Sequence, residues 1–441
     1  MRTETDKLGQ MELQDYEVYG LQTKRAALNF QLNHKRTNLR LIYSMVKIKK
    51  AAAMTYIDIG ADQKGICPYI ITACDQILSG KADDQFITQA LQGGAGTSAN
   101  MNVNEVIANL ALKEAGYPYG SYDKIHPLDD VNRGQSTNDV YPTALRISAI
   151  EILRQLSDQC AKLQEALQKK ENEFDSIKKV GRTELMDAVP ITLGAEFGAY
   201  AQAIARDRWR LYKVEERLRQ VNIGGTAIGT GTNADKKYRF GIIETLRNLT
   251  GIGLAVAEYP LDITQNNDVF VEVSGLLKSL AVNLMKIAND LRLMNSNPVA
   301  EIKLQPLQLG STIMPGKVNP VIPEMVIETS IRVMANDYAI TTAAAHGEFE
   351  LNAFLPLIAD SLLESLELLC HSVKLFREKC IDLIKANPDR CGKLLKHSLT
   401  FATEYTTRLG YETVTKVLEN YGHDPEKTKE ILEDMIKKES E

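Results

Sequence analysis

The chain is 441 residues long, 44% hydrophobic and 25% charged, with a formal net charge of −5 at pH 7. That length buries a large core and predicts two or three domains. Mild acidity without any basic block excludes a nucleic-acid binder, which has to neutralise a phosphate backbone. The opening Met1-Arg2-Thr3-Glu4-Thr5-Asp6-Lys7 has no apolar stretch, and no window approaches twenty uncharged apolar residues, so neither a secretory signal nor a membrane span is expected. The cysteines at 67, 74, 160, 370, 380 and 391 form no C-x-x-C, which predicts reduced thiols in a cytoplasm. The histidines are dispersed and give no zinc pattern, so no metal site is expected.

Residues 1–40 are polar and mixed, with a turn at Tyr16–Gly20. From Leu41 to about Leu78 the apolar positions Ile42, Met45, Val46, Ile48 and Ala51–Ala53 predict helix, and Pro68 suits the first turn of a second one. Gln92-Gly93-Gly94-Ala95-Gly96-Thr97-Ser98 reads as a close-approach loop leading into a helix near Asn102. Free N–H groups at a helix start attract an anion. No Gly-Lys-Ser/Thr follows, so a phosphate loop fails; a carboxylate fits, with Thr97 and Ser98 as extra donors. In Gln135-Ser136-Thr137-Asn138-Asp139, Asn138 or Asp139 is the expected helix cap, with Pro142 early in the helix; capping alone would account for these residues.

Long helical periods follow at Leu145–Leu167, Phe197–Val221, Val273–Leu291 and Leu357–Ile384. Few prolines interrupt them, so the expected fold is all-α: an elongated long-helix bundle over 135–385, a mainly helical N-terminal domain at 1–134 and a short helical C-terminal domain at 386–441. Helices this long outrun one small domain, and partner subunits are expected to cover their remaining faces. Polar connections stand at Gly181–Ala188 and Gly224–Gly231; nothing places the partial G-x-G of the second after a strand, so a dinucleotide site is excluded.

The third connection, Gly310-Ser311-Thr312-Ile313-Met314-Pro315-Gly316-Lys317-Val318-Asn319-Pro320, holds glycines and prolines incompatible with a helix or central strand. It offers a nucleophile or base candidate (Ser311), a fixed positive charge (Lys317) and an amide able to bond a carboxylate (Asn319). Ile, Met and Val alternate with these groups, which predicts a loop at least half buried. Taken together, the polar loops suit a small anion with two carboxylates, and no cofactor motif accompanies them. Acid–base elimination by side chains alone fits, with cationic and amide groups holding the charge of an enediolate-like species.

The pattern G-S-x-x-M-x-x-K-x-N (Gly310, Ser311, Met314, Lys317, Asn319) resembles the signature of the aspartase/fumarase superfamily. Gly96–Glu105, Gln135–Asp139 and Gly181-Arg182-Thr183 with Asp187-Ala188 are similar to its other motifs, so the resemblance covers most of the chain. It implies a homotetramer with a central helical bundle and active sites each assembled from three subunits. It further implies Ser311 as the base, Lys317 and Asn319 on carboxylate, and Thr97, Ser136, Thr137, Asn138 and Thr183 on substrate. Pro323-Glu324 and Glu350-Leu351-Asn352 look more like aspartases than fumarases. The implied activity is elimination of ammonia from L-aspartate or a close analogue; the alternatives are a fumarate hydratase, a lyase for another amine-bearing succinate, or a non-catalytic paralogue. Four positions depart from the pattern: Glu184, where fumarases and some aspartases place histidine, Glu348, Leu355 and Thr312. The C-terminal unit is also shorter than usual. A carboxylate at 184 disfavours water activation and could face a substrate ammonium.

Overall fold

The computed structural model describes residues 1–440. It opens with an antiparallel hairpin, β1 (Arg2–Asp6) and β2 (Gly9–Leu13). Then come α1 (Leu21–Asn29), α2 (Leu39–Asp58), α3 (Cys67–Leu78) and α4 (Thr97–Glu114). Pro68 does sit in the first turn of α3. α4, by contrast, starts at Thr97 and not near Asn102, because Gly96 takes a left-handed φ of 93° and turns the chain straight into helix. A side chain at 96 would run into the Tyr141 ring.

α5 (Thr137–Glu173) is 37 residues long, about 55 Å at the α-helical rise. Pro142 lies inside it and leaves the Asn138 carbonyl without its helical donor. Asn222 Nδ2 supplies the missing bond at 3.0 Å. The polar connection at 181–188 is the tip of an antiparallel hairpin, β3 (Lys178–Thr183) and β4 (Met186–Thr192). α6 (Leu193–Leu218) leads to β5 (Gln220–Val221), parallel to β6 (Ala255–Val256). After α7 (Lys236–Thr250), α8 (Pro260–Gln265) and α9 (Asp268–Asn295), β7 (Ile302–Lys303) pairs with β8 (Lys385–Ala386). α10 (Val321–Ala344) and α11 (Leu355–Lys379) precede β8. α12 (Pro388–Lys396), α13 (Thr406–Leu409), α14 (Tyr411–Tyr421) and α15 (Pro425–Ser440) follow it. α15 closes the stretch expected as a short helical C-terminal domain at 386–441; its last residue, Glu441, lies outside the described residues. Among the described residues the strands pair only two by two, so the fold is all-α in class.

Compactness gives two units. The first comprises Met1–Ser157, Trp209–Ser279 and Arg332–Cys370; the second comprises Asp158–Arg208, Leu280–Ile331 and the chain from His371. α5, α6, α9, α10 and α11 each give a stretch to both. Leu145, Ile152, Leu156, Val273, Leu277, Leu363 and Leu366 are buried in the first unit. Leu163, Leu167, Phe197, Leu284, Leu291 and Phe376 are buried in the second. All of these fall within the stretches read as helical from their period, and full burial of each contributes about 1.5–3 kcal/mol. Other faces of the same helices stay open: Trp209, Tyr212, Val282, Leu293, Ile331 and Tyr338 are exposed. Among the described residues no helix is long and apolar enough to cross a membrane.

Candidate active site

The residues singled out above fall into both units: Thr97, Ser136, Thr137 and Asn138 in the first, Thr183, Glu184, Ser311, Lys317 and Asn319 in the second.

In the first unit Thr97 heads α4, with Oγ1 donating to the Gly94 carbonyl at 2.8 Å. Ser136 is the cap of α5, in place of the expected Asn138 or Asp139. Its Oγ accepts the Asn138 N–H at 3.2 Å while Asp139 Oδ1 accepts the Ser136 N–H at 2.9 Å, a reciprocal box that satisfies two otherwise orphaned donors. Asp139 Oδ2 accepts the N–H groups of Gly224 (3.0 Å) and Thr226 (2.9 Å), and Asn138 Nδ2 donates to the Ala227 carbonyl at 2.7 Å. The glycine-rich stretch after β5 is therefore a buttress for the start of α5.

Thr137 is buried, and its Oγ1 accepts Asn100 Nδ2 at 3.1 Å. Beside it, Asn132 Oδ1 collects three donors: Lys49 Nζ at 2.6 Å and the Nδ2 groups of Asn100 and Asn104, both at 3.2 Å. Burial drives the Lys49 ammonium below its ordinary range, although the Asp139 charge opposes this. Burial likewise pushes the Asp139 carboxyl up, against its N–H donors and the Lys49 charge. The buried Oδ1 atoms of Asn100 and Asn104 have no hydrogen-bond partner, which leaves acceptor capacity in this cluster. Lys49 and Asn132 escaped the sequence reading. The available signal was position: Lys49 falls on the face of α2 set by Ile42, Met45 and Val46, where a lysine is unusual.

Glu105, part of the first motif, has a structural duty. Its carboxylate accepts the N–H groups of Gly20 (2.9 Å), Gln22 (2.9 Å) and Thr23 (3.0 Å), and the Thr23 hydroxyl (2.6 Å). It thereby caps α1 from a distant helix.

In the second unit Thr183 pairs with Met186 across a two-residue turn, Glu184-Leu185, with φ of 54° and 66°. Positive φ at both positions is the mark of a type I′ hairpin turn, which favours Asn-Gly; with other residues it costs about 1–2 kcal/mol at each position. Thr183 and Glu184 are exposed. The loop 310–320 closes at its neck: the Gly310 N–H donates to the Lys317 carbonyl at 2.8 Å, and Asn319 Nδ2 to the Gly310 carbonyl at 3.0 Å. Inside it, Ser311 Oγ accepts the N–H groups of Ile313 (3.2 Å) and Met314 (2.9 Å). Paired backbone donors of this kind favour negative charge on the oxygen.

Within a single chain this loop does not reach the expected half burial. Ile313 is 84% exposed and Met314 48%. Alternation implies burial only for a strand lying on a core, and this loop folds on its own neck. Of the departing positions, Glu348 is exposed in a tight bend closed onto Leu351, and Leu355 is buried at the start of α11.

A family model described as Lyase matches residues 9–335. An aspartate ammonia-lyase from Bacillus sp is 44% identical, over 95% of this chain and 90% of that protein. Among solved structures, the fumarate lyase:delta crystallin from Brucella melitensis in native form is 41% identical with a TM-score of 0.90, over 96% of this chain and 97% of that one. The recombinant class II fumarase from Schistosoma mansoni is 31% identical with a TM-score of 0.93, over 96% of this chain and 92% of that one. On this agreement of fold, sequence and the motif at 310–319, the chain belongs to the lyase family, within the aspartase/fumarase superfamily.

Proposed function

We propose that this protein is an ammonia lyase, a carbon–nitrogen lyase that converts L-aspartate to fumarate and ammonia. The observation that carries the reading is its identity, over nearly the whole chain, with an aspartate ammonia-lyase. Ser311, ionised, takes a proton from C3, and the electron pair moves into the adjacent carboxylate as an enediolate-like dianion. Collapse of that species forms the C2–C3 double bond and breaks the C2–N bond, so the substrate ammonium leaves as ammonia. Serine then gives up the captured proton to reset. The two N–H groups on Ser311 Oγ support an ionised hydroxyl. Lys317 and Asn319 bind carboxylate and stabilise the dianion more than the ground state. Thr97, Ser136, Thr137, Asn138 and Thr183 contact the substrate, and Glu184 faces its ammonium.

The reading includes a cytoplasmic homotetramer with each site shared by three subunits. The exposure of Leu309, Ile313 and the helix faces supports that assembly. Ultraviolet absorbance of the unsaturated product tests the chemistry: a rise with L-aspartate is expected, and malate in the same assay separates out a hydratase. A folded protein that turns over neither substrate refutes both. Light scattering should return four times the 49.1 kDa chain mass.

A further inference from the structure

Lys179 and Arg182 both lie on β3, at a spacing that points side chains to opposite faces of a regular strand. Both nevertheless reach the same carboxylate. Arg182 Nη1 is 2.8 Å from Glu301 Oε1, and Lys179 Nζ is 2.9 Å from Oε2. The register slips between Val180 and Arg182, leaving Ala188 and Val189 opposite Gly181, and such a bulge adds local twist. Only glycine fits there, because a Cβ at 181 would lie 2.5 Å from the Val189 carbonyl oxygen.

Glu301 stands on a fixed base. Ala300 before it has a φ of 52°, and the start of α12 holds both residues. The Asn387 N–H donates to the Glu301 carbonyl at 2.8 Å, and Asn387 Nδ2 to the Ala300 carbonyl at 2.9 Å. The side chain is 0% exposed, while Lys179 also meets Glu196 Oε1 at 2.6 Å. Buried ion pairs contribute little net stability, since desolvation offsets most of their attraction. What this cluster does supply is direction. β4 leans on the Thr400–Tyr405 turn and β3 on α12, but the tip projects, with Leu185 73% and Met186 71% exposed.

We propose that Glu301 is a positioning residue: by gripping Lys179 and Arg182 it fixes the turn that presents Thr183 and Glu184 to substrate. The proposal rests on the aspartate reading for the role of those two residues. Arg182→Gln in the full-length protein is the gentler test, because Lys179 still neutralises Glu301; Glu301→Gln is the stronger one, and Lys178→Gln, on the same strand but exposed, is the control. Deuterium exchange at Thr183–Asp187 should accelerate in the first two variants and not in the control. A displaced contact residue costs up to about a hundredfold, so kcat/KM for aspartate should fall by about tenfold to a hundredfold, mostly through KM, and Arg182→Lys should recover part of it. Unchanged exchange and unchanged KM in both Gln variants would overturn the proposal. A wild-type protein inert toward aspartate would instead sink the reaction reading, and exchange alone would then decide the grip.

Discussion

A free serine hydroxyl is a poor base near neutral pH, so Ser311 acts only if its surroundings favour the alkoxide. The two N–H groups it accepts are a start, and substrate closure with Lys317 would add a positive charge. Ser311→Ala should lower kcat on aspartate by about a thousandfold while urea unfolding stays within about 0.5 kcal/mol of wild type; retained turnover would remove serine from the mechanism. Glu105 makes the opposite prediction. Burial pushes its carboxyl up to about 7, with Thr23 and the N–H groups of Thr23 and Gln22 pulling the other way. Glu105→Gln turns an amide N–H₂ toward backbone donors and should cost about 1–3 kcal/mol in urea unfolding. The sequence puts Glu105 and Ser311 in motifs alike; only the structure shows that the Glu105 carboxylate is taken up by four donors at the start of α1.

Among the elements, the helices were legible because burial follows their period: Leu145, Ile152, Leu156 and Leu163 are each buried as the spacing requires. The hairpin of β3 and β4 was not, since glycine, a bulge and a polar turn conceal any alternation. Its turn carries strain at an exposed leucine, so Leu185→Gly should raise stability by about 1 kcal/mol, read as a higher melting temperature. Glu364 on α11 has a different vulnerability. It accepts Lys35 Nζ at 2.7 Å, Arg332 Nε at 2.8 Å and Asn336 Nδ2 at 2.8 Å. Burial works to raise its carboxyl, but these donors outweigh it and hold the group at about 2. An unfolded glutamate ionises near 4.3. The folded group is thus the stronger acid: its contribution is complete above about pH 5 and disappears as pH falls toward 2. Allowing for screening, about 1–2 kcal/mol should be lost across that window, and Glu364→Gln should flatten the urea midpoint there.

Over the whole molecule, the long helices α5, α6, α9 and α11 followed from their sequence, and so did the expectation that something must cover their outer faces. Which contacts cover them is not written in periodicity, because an apolar position looks the same whether its partner is intramolecular or not. If copies of the chain cover them, the melting temperature should rise with protein concentration, and a concentration-independent midpoint with monomer mass would contradict the assembly. Two glycines after β5 leave no room for a side chain. A Cβ at Gly229 would lie 2.5 Å from Leu261 Cα, and one at Gly231 would collide with the Arg239 guanidinium. Because Asn138 and Asp139 hang from this same stretch, a saturation scan of the gene would score both glycines as indispensable, and a reader of that scan would mistake scaffolding for chemistry.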